Sequence, residues 1–179
     1  MDFIFDSDIF VAVRDFFDAG GPVLWPIFIV TILMCTLIFE RFLYFRASMP
    51  QEVKHIAKVW NQRHDHHTWN AKKIREGMIS ELRVRSETFL PLINALMAIL
   101  PLLGLLGTVY GMIDVFDTMS VTGTGNPRLM AGGVQKATIP TMAGLVSALV
   151  GLIPAAMLAR RSRIEVEKAE DMLSFQDGE

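Results

Sequence analysis

The chain has little charge, almost no cysteine and no polar stretch long enough for a soluble catalytic domain. Of its 179 residues 20% are charged, and Cys35 is the single cysteine. One thiol allows neither an intramolecular disulfide nor a cysteine metal cluster. A net charge of −2 offers no basic face for nucleic acid. Outside the apolar runs the longest stretch is about 50 residues and largely polar, too short to bury a sizeable core. No nucleophile, base and oxyanion arrangement can be assembled from these residues, so neither an enzyme nor a cofactor is expected.

Apolar residue is abundant: the chain is 51% hydrophobic, with a mean hydropathy of +0.37. Three runs, Pro22 to Phe39, Phe89 to Ile113 and Ala137 to Ala159, contain no Asp, Glu, Lys or Arg. As a helix each can cross a hydrocarbon core of roughly 30 Å at about 1.5 Å per residue. The expected fold class is an all-α integral membrane protein with three transmembrane helices, the second and third extended into the cytoplasm. Residues 1–21 carry five aspartates against Arg14, unlike the basic start of a cleavable signal, so the first span is expected to be retained as an anchor. Basic residues concentrate between the first two spans, from Arg46 to Arg85, and at Arg160, Arg161 and Arg163; the second connection has Arg128 and Lys136 alone. The positive-inside bias then puts the N-terminus and the second connection outside. The expected segments are an outer amphipathic helix at 1–20, spans at 21–44, 89–116 and 135–159, an inner helical loop at 45–88, an outer loop at 117–134 and an inner tail at 160–179.

Phe3, Phe5, Phe10, Val13, Phe16 and Phe17 alternate with acids ahead of Gly20-Gly21-Pro22, which predicts an interfacial helix ended by that turn. In the inner loop Val53, Ile56, Ala57 and Trp60, then Ala71, Ile74, Met78 and Leu82, have helical spacing interrupted near His64 to Asn70. His64-Asp65-His66-His67 could offer two ligands on one helix face, but without a further ligand cluster a solvated turn is the better reading. Gly123-x-Gly125 is read as a turn rather than a phosphate loop.

The first span, rich in Ile, Leu, Val and Phe, is expected to face lipid all round. The other two carry small residues three and four apart: Gly104, Gly107 and Gly111 in one, Gly144, Ala148 and Gly151 in the other. Such faces permit close helix approach and call for helix partners. Three spans offer few partners, so a ring oligomer is expected, with the first span outside. Asn94, Pro101 and Thr108, spaced by seven, share a stripe on the second span, and Thr141 starts a similar one on the third. Uncharged polar residues there suit a narrow pore lining or a socket for a polar helix. Equally, Thr108 and Thr141 could simply bond a carbonyl one turn back. Neither span has a mid-membrane carboxylate, so a proton path here would need one from elsewhere.

Pro101 to Gly111, reading PLLGLLGTVYG, and Thr141-Met-Ala-Gly144-Leu-Val-Ser-Ala148 resemble the second- and third-span signatures of the ExbB/TolQ/MotA proton-channel family. The Glu40-Arg41 pair closing the first span and the overall layout are also similar, and the compact loop and tail look closest to ExbB. The resemblance implies a homopentamer in the bacterial inner membrane, N-terminus periplasmic and C-terminus cytoplasmic. It would enclose an ExbD-like single-span protein that supplies a membrane Asp, and would couple the proton motive force to a TonB-like protein for transport across the outer membrane. Thr108 and Thr141 match the family's pore-lining positions. Where the family commonly has Glu, five residues before the third-span Thr, this chain has Lys136, which is expected either at the pore mouth or snorkelling to the interface. A TolQ-like role in envelope maintenance and a non-conducting membrane scaffold are the alternatives.

Overall fold

The computed structural model describes residues 2–63, 68–123 and 127–173. Six helices follow one another: α1 Asp2–Gly20, α2 Leu24–Ala47, α3 Met49–Asn61, α4 Trp69–Glu87, α5 Leu90–Thr122 and α6 Pro127–Met172. No strand occurs among the described residues. Each of α2, α5 and α6 contains a stretch long and apolar enough to cross a membrane. The chain forms two compact units: Met1–Cys35 with Ala95–Leu152, and Thr36–Asn94 with Ile153–Glu179. The histidine tract at 64–67 and the middle of the outer connection, 124–126, lie outside the described residues.

In the first unit α1 ends where Gly21 adopts φ +71°, its amide donating to the Phe17 carbonyl. A left-handed residue after the last turn is glycine's usual place, because it has no Cβ to clash. Phe17 then packs on the rings of Trp25 and Phe28. Phe10, Val13 and Phe16 on α1 remain exposed.

The sequence suggested a first span facing lipid all round, and the structure corrects this. Val23, Leu24, Ile27 and Met34 are buried, while Phe28, Ile29, Ile32 and Leu33 are exposed. Met34 fills the space opposite Gly151, where a large side chain on one helix compensates for a missing one on the next.

The helices between the second and third spans also run further than the apolar runs. Residues 117–134 were expected as a loop, yet α5 continues to Thr122 and α6 begins at Pro127. Nothing before Gly123, which has φ +66°, breaks the helix, and proline at a helix start costs no hydrogen bond. Gly123 and Pro127, not the loss of apolarity, bound the two helices.

The second unit is built differently. The inner loop is a pair of helices, α3 burying Met49, Val53 and Trp60, and α4 burying Ala71, Ile79, Leu82 and Ser86. The end of α6 adds Ala155, Leu158, Val166, Ala169 and Leu173, a stripe at three- and four-residue spacing. Buried Ser162 donates its hydroxyl to Ser86 at 2.9 Å. Arg75 on α4 donates Nε to the Leu173 carbonyl at 2.7 Å and a terminal nitrogen to the Glu170 carbonyl at 3.0 Å, occupying carbonyls that the end of α6 leaves unpaired.

Between α4 and α5 Phe89 takes φ 66°, the only non-glycine residue with positive φ among those described. Arg41, from the end of α2, holds this break. Its guanidinium stacks on the Tyr44 and Phe89 rings, 4.9 Å from each centroid, and donates to the Arg85 carbonyl at 3.2 Å. Nε lies 3.1 Å from a Glu40 oxygen but makes no directed hydrogen bond, so that contact is an ion pair only. Tyr44 donates to Glu52 at 2.9 Å, and Arg85 links Glu52 at 3.7 Å with Glu81 at 2.8 Å.

Candidate functional site in the α5–α6 hairpin

The small residues of α5 and α6 meet each other within the chain. A Cβ added to Gly144 would lie 2.5 Å from the Leu100 carbonyl oxygen and 3.2 Å from Gly104 Cα. One added to Gly104 would meet Thr141 Cα at 3.0 Å, and one on Gly111 would meet Ala137 at 2.6 Å. Gly107 faces the Pro140 ring and Gly133 faces Val115. Gly104, Gly107, Gly111, Gly144 and Gly151 are all buried, and Ala148 is half-buried. Only glycine leaves room for backbones this close. The glycine faces were expected to need sister helices, but most of that need is met by the hairpin itself. What α5 and α6 leave exposed is larger and aliphatic, including Leu102, Leu105, Val109, Leu145, Leu149 and Ile153.

The two threonines behave differently. Thr108 is half-buried and donates to the Leu105 carbonyl of its own helix at 2.7 Å. Thr141, also half-buried, donates across the seam to the Gly104 carbonyl at 2.8 Å. Within α5 that carbonyl also faces the amide of residue 108, four residues on, so one carbonyl ties the two threonine positions together. Each hydroxyl proton is thus committed to a carbonyl, while each oxygen keeps acceptor capacity. Pro101 is half-buried inside α5 and has no amide to donate. Asn94 is exposed and belongs to the second unit, where it lines a cavity of about 460 Å³ with Arg83, Glu87, Ser162, Arg163 and Glu167.

Lys136 has a partner that sequence reasoning missed. Its ammonium lies 2.8 Å from an Asp114 carboxylate oxygen on α5. The signal was available: Asp114 and Lys136 sit at nearly equal distances from the ends of α5 and α6, as do Gly111 with Ala137 and Val115 with Gly133. The pair lines a cavity of about 260 Å³ together with Val115, Thr118, Met119, Arg128, Gly132 and Gly133.

Neither apolar run of α5 and α6 carries Asp, Glu, His, Lys or Arg, so what these runs offer is hydroxyls and close-packed backbone rather than a carboxylate or imidazole. Comparison with known proteins agrees with this layout. The chain is 27% identical to "Biopolymer transport protein exbB1" of Vibrio cholerae, over 87% of this chain and 82% of that protein. It is 28% identical to "Putative biopolymer transport protein ExbB-like 1" of Synechocystis sp., over 78% and 67% respectively. A shorter stretch, 36% of the chain, is 36% identical to "Biopolymer transport protein ExbB" of Salmonella typhimurium, covering 26% of that protein. Residues 44–171, which include all of α3, α4 and α5 and almost all of α6, match the MotA/TolQ/ExbB proton channel family, and the chain belongs to it.

Proposed function

We propose that the chain is the ring-forming subunit of a proton-conducting stator that couples the proton motive force to TonB-dependent transport across the outer membrane. It sits in a bacterial inner membrane, and the basic residues of the inner loop and of Arg160, Arg161 and Arg163 hold that side in the cytoplasm. The observation that carries this reading is the hairpin's combination of half-buried threonine hydroxyls with two long segments free of Asp, Glu, His, Lys and Arg. A proton cannot cross such a surface unaided. An ExbD-like single-span partner brings the carboxylate, and the ring gives it a charge-free wall. Because the hydroxyl protons of Thr108 and Thr141 are held by carbonyls, their oxygens serve as acceptors for the partner's protonated carboxyl or for water. They position the proton but do not carry it. The relatives named for biopolymer transport support the coupling to uptake.

The test pairs Thr108→Val with Thr141→Val in cells that depend on the system. The double variant should assemble normally and lose energy-dependent uptake; normal uptake would reject the acceptor role. Purified complex with its single-span partner, placed in vesicles containing a pH-sensitive dye, should pass protons. No flux with a competent partner would favour a scaffold that merely holds its partner. Native mass spectrometry of the same preparation should show five copies of this chain around the co-purifying protein.

A further inference from the structure

At the outer end of the first unit α5 carries acids and α6 carries bases: Asp114 and Asp117 against Arg128 and Lys136. Lys136 and Asp114 are joined at 2.8 Å and their side chains stay 38% and 50% exposed. Against the same lysine lies the α1–α2 turn, where Gly21 approaches its Cε; on α1, Asp18 and Arg14 face each other in an exposed pair.

The Asp114–Lys136 pair is not needed to hold the helices. Half-exposed ion pairs add little stability, and the seam beside it is already closed by Gly111 on Ala137 and Gly133 on Val115. What the pair does change is charge. An unbalanced ammonium at the mouth of a proton path repels the ion that the path must admit. At about 6 Å in water a single unit charge lowers the local proton concentration roughly threefold, and every copy in a ring repeats the effect.

We propose that Asp114 is a selectivity-determining residue of the outer mouth, cancelling the charge of Lys136 so that cations can enter. The requirement is that no uncancelled positive charge stands at the mouth, and the carboxylate is not itself a proton carrier. This rests on the conducting role proposed above.

Proton flux into vesicles holding the complete complex with its partner tests it at low and high salt. Asp114→Asn should cut flux at least roughly threefold in about 10 mM salt and recover towards wild type near 1 M, where the screening length shrinks from about 30 Å to about 3 Å. Lys136→Gln should conduct at least as well as wild type, and the double variant Asp114→Asn with Lys136→Gln should match it. A double variant as poor as Asp114→Asn alone, a salt-independent loss, or a Lys136→Gln defect equal to that of Asp114→Asn would overturn the proposal. Unchanged flux in Asp114→Asn beside a conducting wild type would overturn this inference alone. A wild type that conducts nothing would overturn both readings.

Discussion

The two units of this chain are held together by opposite means. In the first, α5 and α6 meet where side chains are absent, and a glycine row lets backbone lie on backbone. In the second, long side chains reach across: Arg41 to the Arg85 carbonyl and the Phe89 ring, Arg75 to the end of α6, Ser162 to Ser86. The difference follows from the surroundings. Within a membrane apolar side chains gain nothing by leaving lipid for protein, so association depends on closeness and shape. Where water competes, burial of Trp60, Leu82, Val166 and Leu173 provides the driving force, and arginines satisfy the backbone groups that the helix ends expose.

The sharpest way to break the contrast is to add bulk to the seam. Gly144→Leu would push into the Leu100 carbonyl and the Gly104 backbone, neither of which is a flexible side chain. We expect a loss of about 3 kcal/mol or more, read as failure to extract an assembled complex in mild detergent. The same change at Gly77 on α4, where a Cβ meets nothing within 4 Å, should be harmless to assembly.

Arg41→Ala is the matching experiment in the second unit. It removes a buried side chain, one hydrogen bond and two ring contacts at the α4–α5 break. A loss of about 2 kcal/mol is expected, with Arg41→Lys recovering only part of it because an ammonium lacks the planar stacking face. The readout is thermal unfolding followed by fluorescence, together with protease sensitivity near residue 89.

Smaller effects separate the two threonines. Thr141→Val removes a bond between helices and should cost about 1 kcal/mol, whereas Thr108→Val removes one within a helix and should stay within about 0.5 kcal/mol. Equal losses in thermal melts would mean that the seam does not depend on the Gly104 carbonyl. Of opposite sign, Gly77→Ala should stabilise α4 by up to about 1 kcal/mol, because glycine in an exposed helix interior loses backbone entropy for no packing gain.

These residues also show how much was legible in advance. Three spans could be read because charge is missing from three runs, and the threonine positions followed from a motif. The seam residues Gly104, Gly107 and Gly144 were visible as a small-residue pattern, but not their destination, since spacing on one helix does not say which helix it faces. Pairing the two helices outward from their facing ends at Thr122 and Pro127 supplies that, and with it the Asp114 partner of Lys136. Other features leave no local trace. Positive φ at Phe89 has no signature in a phenylalanine, and Arg75 finds its acceptors nearly a hundred positions away. Loss of apolarity suggests a loop over 117–134, but α5 and α6 run on to Thr122 and from Pro127, because a helix stops only where its backbone is interrupted.

Arg75 has a further consequence, for how the protein is made. Its acceptors at Glu170 and Leu173 leave the ribosome only after the α5–α6 hairpin has been synthesised, so α4 must wait, with its guanidinium in water, until the last turn of α6 arrives. A product ending short of residue 170 would lack both of the carbonyls that Arg75 reaches at the end of α6. The closing turn of α6 thereby fastens α4 by a link that cannot form until the last-made turn of that helix is present.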